Sequence, residues 1–137
     1  MQAKEYLKQA YRLNELIQCD QQELDELRVL SRSLSGTDYS KDRVQTSPST
    51  DAGYTKIVHK MMVLEDAINT EIENMLSLKL EIRTVINAVQ DNEEKLLLKY
   101  RYLNFLSWEK ICDEMNISMR TAHRIHVEAL ANVVVPE

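Results

Sequence analysis

Apolar side chains recur along the chain at three- and four-residue steps, and they do so in blocks. From Gln2 to Ser33 the positions Tyr6, Ala10, Leu13, Ile17, Leu24, Leu27 and Leu34 form one stripe, weakened around Asp20 and Gln21. The 3.6-residue period places such positions on one helical face, so a single long amphipathic helix is expected. A second stripe, Ile57, Met61, Leu64, Ile68, Ile72, Met75, Ile82, Ile86 and Val89, predicts a helix over Tyr54–Val89. Its acidic residues Glu65, Asp66, Glu71, Glu73 and Glu81 fall mainly off the stripe. At 1.5 Å per residue this helix spans about 50 Å. One apolar seam of that length needs a partner. The first helix can fold back as a coiled-coil-like antiparallel hairpin, or the seams of two chains can meet in a homodimer.

Between the two stripes, residues 34–53 are rich in Ser, Thr, Asp, Gly and Pro and show no period, which predicts a flexible loop. Ser47-Pro48 reads there as part of a solvated turn rather than a phosphorylation site.

The pattern tightens after Val89. Asp91-Asn92-Glu93-Glu94 has the form of a capping box, with Asp at N-cap and Glu at N3, and Leu96, Leu97, Tyr100 and Leu103 or Tyr102 continue it as a short helix. Ser107 is a second N-cap, followed by the apolar face Trp108, Ile111, Cys112 and Met115. Asn116 tolerates the left-handed backbone that ends a helix, Ile117 is an apolar corner plug, and Ser118 is a third N-cap. Ala122, Ile125, Ala129 and Leu130 form the buried face of the helix it opens, with Arg120, Thr121, His123, Arg124 and Val127 opposite. A short helix, a tight turn and a second helix with outward Arg and Thr side chains are the grammar of a helix-turn-helix. Arg bonds guanine bidentately, and Thr bonds a base or phosphate or touches a thymine methyl.

The expected architecture is therefore all-α. It comprises a helical hairpin over residues 1–90, with its loop at about 34–53, and a small helix-turn-helix bundle over 91–137.

Composition narrows the function. The 137 residues carry 44% apolar and 28% charged side chains, enough for a packed core, and a net charge of −5. That charge argues against binding nucleic acid over the whole surface, leaving a local DNA-reading face. Two Arg and two His on the recognition face imply modest affinity from one copy, since phosphate neutralisation sets most of the non-specific term. Cys19 and Cys112 are isolated, with no Cys-x-x-Cys, and no targeting segment is visible, so a cytoplasmic protein with reduced thiols is expected. His123 and His126 lack supporting ligands for a metal. No phosphate-binding Gly loop, catalytic triad or paired acid–base carboxylate is visible, which predicts a non-enzyme without cofactor.

The stretch Asn92–Ala131 resembles region four of bacterial sigma factors. The resemblance is carried by Leu98, Arg101-Tyr102-Leu103, Leu106-Ser107-Trp108-Glu109-Lys110-Ile111, Asn116-Ile117-Ser118, Thr121-Ala122 and Ala129-Leu130. With the acidic helical portion in front, the whole layout is similar to small phage or prophage regulators of the ArpU and RinA late-transcription type. The resemblance implies a bacterial host cell, double-stranded DNA facing Ser118, Arg120, Thr121, His123 and Arg124, and RNA polymerase as a partner. Asn116 stands where Gly is common, Lys110 where an acidic residue is common, Ile125 where a basic residue is common, and His126 where Leu is common. Two other functions fit the layout: the recognition subunit of a DNA-packaging terminase, and a helical protein-interaction module without DNA binding.

Overall fold

A computed structural model describes residues 1–40 and 48–137. Every regular element among them is an α-helix: α1 (Ala3–Leu7), α2 (Gln9–Ser40), α3 (Pro48–Asn87), α4 (Asn92–Tyr102), α5 (Trp108–Met115) and α6 (Met119–Asn132). They divide into two compact units, Met1–Asn14 with Asn74–Glu137, and Glu15–Glu73.

The single helix expected over Gln2–Ser33 is divided only at Lys8, whose backbone stays near helical at φ −75° and ψ −9°. Its N–H still reaches the Lys4 carbonyl, and Arg12 N–H reaches the Lys8 carbonyl. The expected loop at 34–53 is narrower than its composition suggests. Residues 34–40 continue α2, 48–53 open α3, and Ser47 lies outside the described residues. Pro48 occupies the first helical position, where a missing N–H costs nothing and φ is already helical.

In the unit 15–73, Ile17, Leu24 and Ile68 are buried, as their stripes require. Arg28 reaches Glu65 at 3.7 Å and Asp25 at 3.2 Å. The Asp20 and Glu71 carboxyl groups meet, and this contact, with burial and Asp20's own charge, raises the Glu71 pKa above the usual carboxylate value. A shared proton gives the pair a hydrogen bond, whereas full ionisation leaves Glu71 Oε2 sequestered without a donor.

The other unit holds two apolar clusters. The first joins Tyr6, Leu7 and Ala10 to Ile82, Ile86 and Val89, and to Leu98, Tyr102 and Ala129. Val133 and Val135 pack against it, so the chain beyond α6 is partly anchored, while Val134 is exposed. The second cluster is Leu97, Ile111, Ala122 and Ile125, flanked by Tyr100, Leu106, Trp108, Cys112, Met115 and Ile117. One expected core position in α4 is displaced: Leu96 is 41% exposed, and Leu98 is buried in its place. The cause is that α4 faces two clusters, with adjacent Leu97 and Leu98 each serving one, so its buried arc is wider than a single stripe.

Asp91 caps α4 through Oδ1, which accepts from the N–H groups of Glu93 and Glu94 at 2.9 and 3.0 Å. The Glu94 carboxylate accepts from Asn132 Nδ2 at 2.7 Å, which ties the first turn of α4 to the last residue of α6.

Candidate nucleic-acid interface

The surface singled out by the sequence is built from α5, the three residues Asn116-Ile117-Ser118, and α6. Ser107 accepts from Lys110 N–H at 3.2 Å and thereby starts α5. Lys110 cannot supply the reciprocal acidic half of a capping box, and its Nζ instead lies 4.0 Å from Glu114. At the other end, Asn116 adopts φ 56° and ψ 49°, and the N–H groups of Asn116 and Ile117 both return to the Cys112 carbonyl. This left-handed cap is what Gly usually supplies; Asn bears it at small cost. Ile117 then turns into the second apolar cluster. Ser118 Oγ accepts from Thr121 N–H at 3.2 Å and starts α6.

On α6 the buried side is Ala122, Ile125, His126 and Ala129, so the outward face carries one His, His123, and not the expected two. Arg120, His123 and Arg124 are exposed, at i, i+3 and i+4 of one face, and Val127 continues that face at i+7. Arg124 leans toward Glu128 at 3.4 Å, a solvated pair of small energetic weight. Ser118 and Thr121 have a structural duty: the Ser118 hydroxyl donates to Thr121 Oγ1 at 3.0 Å as well as capping the helix. Of the five residues expected to face DNA, Arg120, His123 and Arg124 thus have outward side chains, and Ser118 and Thr121 sit at the N-terminus of α6.

Behind this face lies an aromatic and cationic stack. The Trp108 ring is 4.6 Å from the His123 ring and 4.8 Å from the His126 ring. The Arg101 guanidinium lies 4.9 Å from the Trp108 centroid, and its Nη1 donates to the Leu106 carbonyl at 3.0 Å. Trp108 thereby fixes the orientation of His123. His126 Nε2 is 2.7 Å from Tyr102 Oη in the interior. Burial is the main reason the His126 pKa falls to about 4, and the positive charges of Lys4, Arg101, His123 and Lys8 lower it further. Burial pushes the Tyr102 hydroxyl up to about 12. Both groups are therefore neutral at pH 7.

Periodicity did not single out Lys4 or Lys8 as charges beside α6, nor Arg101 and Trp108 as supports for His123. The one available signal was the Lys4–Lys8 spacing of four, which puts two cations on one helical face. The acidic residues of α5, Glu109, Asp113 and Glu114, are all exposed, so α5 brings negative charge to the surface next to α6.

Residues 33–133 match the family described as Protein of unknown function (DUF1492). The chain belongs to that family. The matched span of the DUF1492 chain runs from the end of the first apolar stripe through all of α6. Neither a curated protein nor a solved structure matches the chain significantly. Among the described residues no group of three or more His, Cys, Asp or Glu side chains could hold a metal ion, and no helix is long and apolar enough to cross a membrane.

Proposed function

We propose that this protein is a phage-type transcription regulator that reads duplex DNA with a helix-turn-helix made of α5 and α6. The reading rests on one observation above all. Arg120, His123 and Arg124 project from the first half of a helix whose opposite face, Ala122, Ile125 and Ala129, is locked into the core. A three-residue turn separates this helix from α5, the connection typical of the motif, and the N-terminal part of the second helix is the part that meets base edges. The free amides at the start of α6 suit a phosphate oxygen, and Lys4, Lys8 and Arg101 supply positive charge on the same unit. The resemblance of residues 92–131 to sigma region four supports the same assignment and brings RNA polymerase in as a partner.

In this reading α2 and α3 form an antiparallel hairpin. The pairs Asp20–Glu71 and Arg28–Glu65, whose numbers run in opposite directions, support it. Leu16, Val29, Leu30, Met62 and Val63 are exposed apolar residues on these helices, and a homodimer would take them out of water. Two copies compensate for the small number of cations on each recognition face.

Selection of sites from a random duplex library, with wild type beside Arg120→Ala/Arg124→Ala, tests the assignment. One enriched motif that the double variant loses is the expected result. A folded wild type that enriches nothing rejects autonomous DNA reading.

A further inference from the structure

On the unit that carries α4–α6, helices α3 and α4 leave an open groove of about 600 Å³ between them. It is lined on α3 by Leu76, Lys79, Leu80 and Arg83, on α4 by Leu96, Lys99 and Tyr100, and just past the end of α4 by Leu103 and Asn104. On α3 these positions are i, i+3, i+4 and i+7, and on α4 i, i+3 and i+4 with the C-cap Leu103 at i+7, so each side contributes one stripe along the groove. Leu76, Leu80 and Leu96 are 54%, 66% and 41% exposed, an expensive way to leave three leucines in water. The charges are of one sign. Lys79, Arg83 and Lys99 are cations, and no carboxylate lines the groove, although the chain as a whole carries −5. Lys79 is held in place by its ammonium, 4.7 Å from the centre of the Phe105 ring.

We infer that this groove is a docking site for an acidic amphipathic helix of a partner protein. Two stripes at helical spacing that border one groove match a third helix that inserts apolar residues at i, i+3 or i+4, and i+7. Duplex DNA would satisfy the cations and leave the leucines in water. A neutral apolar helix would cover the leucines and leave three cations beside it without countercharge. An acidic helix with a leucine seam satisfies both features, with Glu or Asp at the flanks meeting Lys79, Arg83 and Lys99.

Two labelled synthetic helical peptides of about 20 residues test this, long enough to hold helix on docking. They share one leucine seam, flanked by Glu in one and by Lys in the other. Fluorescence anisotropy is read on the full chain, on Leu80→Glu and on Arg83→Glu/Lys99→Glu, after circular dichroism has established unchanged melting. The acidic peptide is expected to bind saturably, with at least about ten-fold weaker binding to Leu80→Glu. Preference for the Lys-flanked peptide is expected in the charge-reversed variant. Equal binding of both peptides to wild type, or no binding by folded protein, overturns the inference. Sedimentation velocity over a concentration series supplies the last arm: self-association that Leu80→Glu abolishes would put a second copy in the groove and overturn it as well.

Discussion

Tyr102 on α4 and His126 on α6 share a 2.7 Å hydrogen bond in the interior, 24 residues apart in sequence. Each is less than a tenth exposed, so neither has water as an alternative partner. Removing one member leaves the other buried and unpaired, which costs about 1–3 kcal/mol. Tyr102→Phe, which preserves the ring and deletes only the hydroxyl, is therefore expected to lose stability in that range in urea unfolding at pH 7. An unchanged midpoint would mean that the pair carries no net weight.

The same residue gives the protein an acid-sensitive core. His126 has a folded pKa of about 4, below the ordinary His value. Below about pH 6.5 the unfolded chain takes up a proton that the folded chain refuses, so stability is complete above that pH and declines as pH falls toward 4. The slope is about 1.4 kcal/mol per pH unit at most, and the total over the window is up to about 3 kcal/mol. His126→Gln keeps a neutral polar partner for Tyr102 and removes the titration. Urea midpoints at pH 7 and 4.5 are expected to differ clearly less in this variant than in wild type; parallel losses in both would assign the acid sensitivity to other groups.

This pair also marks the boundary of what the sequence makes legible. The caps at Asp91, Ser107 and Ser118 and the left-handed Asn116 are local chemistry, so the starts of α4, α5 and α6 and the end of α5 can be read directly from residue type. The burial of Ala122, Ile125 and Ala129 follows from one helical period. A buried Tyr–His contact between distant segments has no such local signature, and neither has the Glu94–Asn132 bond. The extra helical turns at 34–40 and 48–53 were hidden for another reason. Ser, Thr and Asp each cost only a few tenths of a kcal/mol in a helix, too little for composition alone to end one. The outward positions of Arg120, His123 and Arg124 were legible, whereas Trp108 as the support of His123 was not, because its ring serves the core as well.

Asn116 is a position where backbone conformation, not contacts, decides. At φ 56° a β-branched side chain collides with its own backbone, so Asn116→Val is expected to cost about 1–2 kcal/mol. Asn116→Gly is expected to be neutral or slightly stabilising, since Gly enters this region freely. Thermal melts of the two variants check the contrast.

Gly53 presents the opposite case. It lies inside α3, and a Cβ placed on it meets nothing within 4 Å. Gly53→Ala is expected to gain about 0.5–1 kcal/mol, mostly by restricting the unfolded chain. A loss of stability on denaturation would contradict a helical backbone at this residue.

Glu71 offers a gain of a different kind. Its raised pKa reflects the hydrogen bond it can make to Asp20 only when a proton is present, together with burial and the Asp20 charge. The stabilising contribution of the pair is therefore present at low pH and lost as pH rises through the Glu71 pKa. Glu71→Gln keeps a permanent N–H donor for Asp20. It is expected to raise the neutral-pH melting point by a small amount, equivalent to roughly 0.5 kcal/mol for a half-exposed pair. The difference from wild type should shrink on acidification, and a difference that grows instead would contradict the shared proton.

If α6 reads duplex DNA as proposed, salt dependence separates the contributions of its two exposed arginines. Each phosphate neutralised releases counterions and contributes about 0.9 to the slope of log affinity against log salt concentration. An arginine that reads a base leaves that slope nearly unchanged and alters which sequence is preferred. Arg120 is nearer the start of α6, where side chains reach base edges, and Arg124 sits one turn later beside Glu128. Arg120→Ala is therefore expected to cost about 1–3 kcal/mol on the preferred duplex and to relax the choice of base at one position. Arg124→Ala is expected to weaken all duplexes alike and to lower the slope by about one. Binding isotherms on one preferred and one scrambled duplex between low and moderate salt measure both quantities. If the two variants exchange these behaviours, it is Arg124, one helical turn further along α6, that reaches the base edges.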